Sequence, residues 1–307
     1  MIVLKRPPAG WMIRYVGIPV LVLAVWDFLI VVAYKIPHWT WVGSGAVPLA
    51  LYGAAITIIV GFRNNYAYGR WWEARTLWGA IVNRSRTLAR QVLTTMSAPA
   101  GASEDEKAEV AAMQRKLVYY QIAFVHALRQ QLRGLDPIAE IRSTVSAEER
   151  ETLIGDKNVS LALQRKMSAL TREARQRGWL NEWEWQAIDG SMSALMDSQG
   201  GAERIKNTPM PKQYDYFPQL FVQMYCILLP LALVTSMGWY TPLGSTLVGF
   251  IFLALDRIGR DLEDPFDNGI YDVPLTAITT TIETNLRQML GETELPAPAV
   301  AVDGMLW

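Results

Sequence analysis

The sequence predicts an all-α protein, part of it set in a membrane and part of it a helical body in water. Three observations carry that expectation. Hydrophobic residues make up 51% of the 307-residue chain and charged residues only 19%, below the roughly one quarter usual in soluble domains. Four stretches with almost no charge approach the roughly 20 helical residues that cross a bilayer. Between the second and third, apolar residues recur every three or four positions, and no segment alternates as a strand would.

Counts of single residue types exclude several classes. The 29 basic and 29 acidic residues cancel, so the basic excess of a nucleic-acid-binding chain is missing. A single cysteine, Cys226, excludes an intrachain disulfide and a thiolate metal cluster. His38 and His126 stand far apart with no companion at ligand spacing, and read as interfacial or helix-face residues. No Gly-rich phosphate loop, nucleophile elbow or zinc-helix motif occurs.

The first helix is expected over Val16 to Tyr34, "VGIPVLVLAVWDFLIVVAY". Lys5, Arg6 and Arg14 precede it, as in a signal peptide. The apolar run exceeds the about 7–15 residues of a signal sequence, however, and no small-residue cleavage site follows. It ends in "YKIPHWTW", where Tyr34, Trp39 and Trp41 suit an interfacial belt, so it reads as a retained anchor. Asp27 lies inside it and is expensive to bury. It is either a functional carboxylate or a residue accepting hydrogen bonds from a neighbouring helix.

The second span, Ala46 to Phe62, runs directly into "GFRNNYAYGRWWEARTLWG". The third covers Phe217 to Trp239 without a charge, and the fourth runs from Thr241 to Leu255 and continues toward water. Basic residues precede the first span and follow the second (Arg63, Arg70, Arg75, Arg84, Arg86, Arg90) and the fourth (Arg257, Arg260). The links on the other side carry Lys35 alone or none, so both termini are expected in the cytoplasm.

The stretch between spans two and three is too long for a loop. "SAPAGASEDEKAE" interrupts the helix leaving the membrane, and a fresh helix starts near Asp105 to Lys107. From Val110 to Leu132, a stripe of Met113, Leu117, Tyr120, Phe124 and Leu128 marks a helix. "SAEERETLI" has the Ser146–Glu149 spacing of a capping box. Further helices are expected over Leu161 to Arg177 and Glu182 to Met196, the latter ahead of Gly200 and Gly201. The tail "LPAPAVAVDGMLW" reads as loosely ordered or docked on a neighbour. No internal repeat is present.

Two clusters invite chemistry. "DRIGRDLEDPFDNGIYD" gathers Asp256, Asp261, Glu263, Asp264, Asp267 and Asp272. Oxygen-rich loops suit calcium, but the spacing is not that of an EF-hand, and Arg257 and Arg260 intervene; the other reading is a helix leaving the membrane with paired charges. In the 61–79 stretch, Trp71, Ala74, Trp78 and Val82 share one helical face, a packing stripe rather than a base-stacking surface. Just before it, Ala54, Ile58 and Phe62 lie at i, i+4 and i+8, with the small residues Gly53, Ala55, Thr57 and Gly61 around them. Copies of this helix around an axis would stack Ile58 and Phe62 into apolar rings that gate by dewetting. A helix packed inside a monomeric bundle gives the same periodicity.

"GFRN", "RWWEARTLWG", "QQLRGLDP", "GGAER" and "LEDPF", in this order, resemble the bestrophin family, and the bacterial members most widely. The similarity runs from about residue 10 to about residue 295. The resemblance implies a homopentamer around one central pore, four transmembrane helices continuing into a cytoplasmic helical domain, and passage of monovalent ions. It divides the chain into a first helix pair (1–92) with the pore-lining second helix, a cytoplasmic helical region (93–213), a second helix pair (214–262) and a cytoplasmic C-terminal segment (263–307). The pore neck falls on Ala54, Ile58 and Phe62, with Ala54 replacing a bulkier isoleucine. A cytoplasmic aperture falls near Leu163.

The region where animal members clasp calcium matches Asp261, Glu263, Asp264 and Asp267. Arg260 and Leu262 interrupt it, so calcium activation is not carried over and no cofactor is expected. The implied partners are further copies of the chain, the bilayer and monovalent ions, cations ahead of chloride, and no nucleic acid. The alternative is a secondary transporter using Asp27 as its coupling carboxylate. Such proteins show inverted repeats and broken helices; no repeat occurs here, and Pro19 and Pro230 would supply the breaks. A membrane enzyme working through the 256–272 carboxylates lacks any nucleophile–base pair.

Overall fold

The computed structural model describes residues 1, 9–43, 48–302 and 304–307, with side chains from Tyr15 onward in the first helix. Lys5, Arg6, the Arg14 side chain and Ala46 at the start of the second expected span lie outside the described residues. Among the described residues there is no strand. Ten α-helices follow in order: α1 (Ala9–Lys35), α2 (Leu49–Thr95), α3 (Glu104–Leu132), α4 (Pro137–Glu140), α5 (Ala147–Glu151), α6 (Val159–Gln176), α7 (Glu182–Asn207), α8 (Lys212–Met237), α9 (Thr241–Glu263) and α10 (Leu275–Met289). The chain divides into two compact units. One comprises Leu4–Trp71 and Pro209–Asp264, the other Met1–Val3, Trp72–Thr208 and Pro265–Trp307.

The first unit carries the apolar helices. Among the described residues, two stretches are long and apolar enough to cross a membrane: Tyr15–Lys35, and the 52 residues Lys212–Glu263 that hold both α8 and α9. Leu23, Ile56, Val60, Val222, Tyr225, Cys226 and Leu229 form its main core, and Ile30, Val31, Val42 and Val234 a second one. Helices approach closely where side chains are absent. A Cβ on Gly249 would collide with Leu23, and one on Gly43 would come within 2.6 Å of Thr235 Cγ2. The outward surface stays greasy, with Ile18, Leu21, Val25, Phe28 and Leu29 of α1 exposed. Trp39 and Trp41 stack at 6.2 Å just beyond α1. Both α1 and α8 run unbroken through Pro19 and Pro230. Helix α9 ends where Asp264 leaves the helical region ahead of Pro265.

The second unit is a helical body centred on α3. Ser103 caps α3 by accepting the Glu106 amide, and Met113, Leu117, Tyr120, Phe124 and Leu128 are all buried along it. Helices α6 and α10 pack on α3, and α7 packs on α6. Asn181 and Glu184 form a reciprocal capping box at the start of α7. The expected end of that helix before Gly200 is corrected: α7 continues to Asn207. Gly201 serves packing instead, since a Cβ there would lie 2.9 Å from Leu77 Cδ2.

Helix α10 escaped the sequence reading because "LTAITTTIETNLRQM" is rich in β-branched residues of modest helix propensity. Its buried stripe of Leu275, Thr279, Ile282 and Leu286 nonetheless recurs at helical steps. His126 Nε2 lies 2.8 Å from Glu283 on α10, and Arg129 donates to Thr279 and pairs with Glu140. The tail docks on its own chain: the Ala277 amide donates to the Trp307 carbonyl at 2.7 Å.

Candidate functional site: the open face of the second helix

Helix α2 is one helix of 47 residues, and its upper part is apolar on every side. The structure separates two faces of it. Gly53, Ile56, Val60, Arg63 and Ala67 turn inward, at alternating steps of three and four. Ala54, Ile58, Phe62 and Tyr66 turn outward, Ile58 59% and Phe62 68% exposed. All three expected neck residues therefore share a face that this chain leaves uncovered. Lower on the helix, Ala74 and Trp78 are buried and Trp71 half-buried, while Trp72 is exposed.

Polar bonds to α9 hold the inward face. Arg63, 1% exposed, donates from Nη1 to Asp256 Oδ1 and from Nη2 to the Asp256 carbonyl, each at 2.5 Å. Asn64 Nδ2 donates to the Leu255 carbonyl at 2.8 Å, and Arg70 Nε to the Glu263 carbonyl at 3.0 Å. Glu263 ends its helix, so its carbonyl has no intrahelical donor and takes one from α2. Arg260 holds the other oxygen of Asp256 at 2.8 Å. Gly259 makes the contact possible, because a Cβ there would come within 2.8 Å of the Arg63 guanidinium and collide with Asn64. By sequence alone, Arg63 stands among the charges that mark the cytoplasmic side. Its helical phase, three residues after Val60 and seven after Ile56, was the signal that it points inward.

The remaining candidates fall elsewhere. Asp27 is fully buried and accepts hydrogen bonds from Ser245 Oγ (3.0 Å) and Thr246 Oγ1 (2.8 Å) of α9, the second of the two readings open to it. Asp261 accepts the Tyr15 hydroxyl at 2.5 Å and faces Arg257 at 3.4 Å. Glu263 offers its carbonyl to Arg70, Asp264 caps α9, and Asp267 pairs with Lys206. Among the described residues no group of three or more His, Cys, Asp or Glu side chains could hold a metal ion.

Leu163 requires correction. Its side chain is fully buried within the helical body, in a stripe with Val159, Met167 and Thr171 on α6. A side chain without exposed area lines no aperture. Leu161, on the same helix, is the exposed one.

A mostly helical chain with greasy outward surfaces, polar pins between its apolar helices and an uncovered apolar face on α2 is built as a helical membrane protein. Residues 5–288 match the bacterial/fungal bestrophin protein family. The chain belongs to that family. It is 34% identical over 272 residues to YneE of Escherichia coli (strain K12), a voltage-dependent anion channel-forming protein, covering 88% of this chain and 86% of the relative. It is likewise 34% identical over 245 residues to the voltage-dependent anion channel-forming protein mll4386 of Mesorhizobium japonicum, covering 80% and 75%. The crystal structure of a bacterial bestrophin homolog from Klebsiella pneumoniae superposes with a TM-score of 0.83 at 30% identity, covering 91% of this chain and 100% of that one.

Proposed function

We propose that this chain is one subunit of an ion channel, five copies surrounding a single pore, with four spans per copy and both termini in the cytoplasm. The observation that carries the reading is the uncovered apolar face of α2, Ala54, Ile58 and Phe62, opposite the face pinned to α9. Family membership and relatives named for forming channels support it. In the pentamer those faces meet at the axis and form the neck.

Apolar rings offer no oxygens to replace an ion's water, so they resist passage by the cost of dehydration. Ala54 makes the outermost ring the widest, and Phe62, the largest of the three, is the main barrier. Dehydration penalises either sign, so selectivity falls to charged groups away from the neck. The sequence leaned to monovalent cations, while the curated relatives are named for anions.

Planar-bilayer recording of purified protein tests the reading, and reversal potentials in a KCl gradient give the sign. Unitary currents are expected, together with a detergent-corrected mass near five times the 34.5 kDa chain. Phe62→Ala should raise the current. Flux that needs a coupled proton gradient and shows no unitary current would overturn the proposal.

A further inference from the structure

Resting on the channel reading, we propose that Arg63 and Asp256 are positioning residues for the pore: their pairing sets the rotation of α2 and so keeps Ile58 and Phe62 on the open face. The need arises from the sequence itself. Ile56 and Val60 point inward while Ile58, Ile59 and Phe62 point outward, and these side chains are chemically almost interchangeable. Both faces are apolar, so hydrophobic transfer barely distinguishes which one packs against α9 and which one turns to the pore axis. Turning α2 by one residue's worth of angle would exchange one greasy surface for another at little transfer cost.

The guanidinium removes that freedom. It is a planar fork, and its two 2.5 Å bonds reach the side chain and the carbonyl of the same residue, which fixes the plane as well as the distance. Its target is equally constrained, because Arg260 holds the second carboxylate oxygen of Asp256 at 2.8 Å. Rotating α2 would therefore leave a guanidinium and a carboxylate buried and parted, both of them now almost fully enclosed. Phe62 precedes Arg63 directly, so the direction of the fork determines the direction of the phenyl ring, about 100° away around the helix. Asn64 and Arg70 add bonds to carbonyls on the same side. They point the same way and add to the hold of the fork.

Thiol accessibility tests this. The single native cysteine, Cys226, is buried and gives a quiet background. Ile58→Cys and Phe62→Cys, compared with Ile56→Cys and Val60→Cys, are exposed to a charged, water-soluble thiol reagent in full-length protein reconstituted in vesicles. With Arg63 and Asp256 intact, the outward pair should react at least about tenfold faster, since thiol reactivity follows access. In an Arg63→Gln or Asp256→Asn background the contrast should shrink to about threefold or less, and unitary current should change in chains that still assemble to the full mass. Loss of stability alone would lower the yield and leave the contrast untouched. A contrast that survives in assembled Arg63→Gln channels overturns the proposal. Should that variant not assemble, Arg63→Lys, which keeps the charge but loses the fork, is read in the same way. If Ile58→Cys and Phe62→Cys react no faster even with the pair intact, and the protein carries no unitary current, the channel reading fails instead.

Discussion

In the helical body the largest fully buried side chains are Trp78, Phe124 and Phe266; in the unit of apolar helices the largest is Arg63. The body buries apolar side chains and exposes most of its charge, the arrangement that water favours. The other unit exposes apolar residues on its outer surface, so hydrophobicity cannot tell its inside from its outside. Its arrangement rests on polar pins: Arg63 on Asp256, Asn64 on the Leu255 carbonyl, and Ser245 and Thr246 on Asp27. The two units teach that greasiness holds a core together only where the surroundings are not greasy as well.

Substitutions can break that contrast, beginning with the largest expected effect. Phe124→Ala should destabilise the body by about 3–5 kcal/mol through transfer and cavity terms, read as lost amide protection in α3 by hydrogen exchange. Asp256→Ala should cost a comparable amount, about 3–5 kcal/mol, because it strands a buried guanidinium. Its loss of protection should fall on α9 and the upper part of α2. Equal protection in both variants would dissolve the contrast.

A pH series sharpens it within the body. The hydrogen bond from His126, outweighing burial, holds the Glu283 carboxyl below the usual carboxylate range. Such a group contributes stability above its unfolded value of about 4.3, and that contribution is lost as pH falls through the lower folded value. Acid titration below about pH 4.5 should therefore loosen α10, and His126→Ala should make that loss shallower. Ser103→Ala removes the cap of α3 and should cost about 1 kcal/mol. Smallest of all, Leu29→Ala on the exposed face of α1 should change stability by no more than about 0.5 kcal/mol, measured by thermal unfolding in detergent. A larger loss would show that this face is covered by another protein surface.

Local features of the fold were legible in the sequence. The α3 stripe and the capping signals need only neighbours within a few residues. What resisted was either masked by composition or distant along the chain. Threonines hid α10, and Gly200-Gly201 looked like a stop because the reason for Gly201, Leu77, lies in another helix. The open face of α2 was visible as Ala54, Ile58 and Phe62, but periodicity alone left a buried alternative. The pin opposite it was not visible, since Arg63 and Asp256 lie 193 positions apart. Leu163 was legible after all, because its i±4 companions Val159 and Met167 already placed it on the buried stripe of α6.

The bonds to Asp27 carry a consequence for how the protein is made. Its hydroxyl partner Ser245 lies 218 residues downstream. A ribosome adding roughly 5–20 residues per second needs on the order of ten to forty seconds to deliver it. Through that interval the first helix would enter the bilayer with an unsatisfied carboxylate, which insertion scales set at about 2.5–3.5 kcal/mol near a helix centre. The nascent first helix should therefore linger beside the insertion machinery, and crosslinks from position 27 to that machinery should fade only once α9 has emerged. An Asp27→Leu chain should release its first helix early.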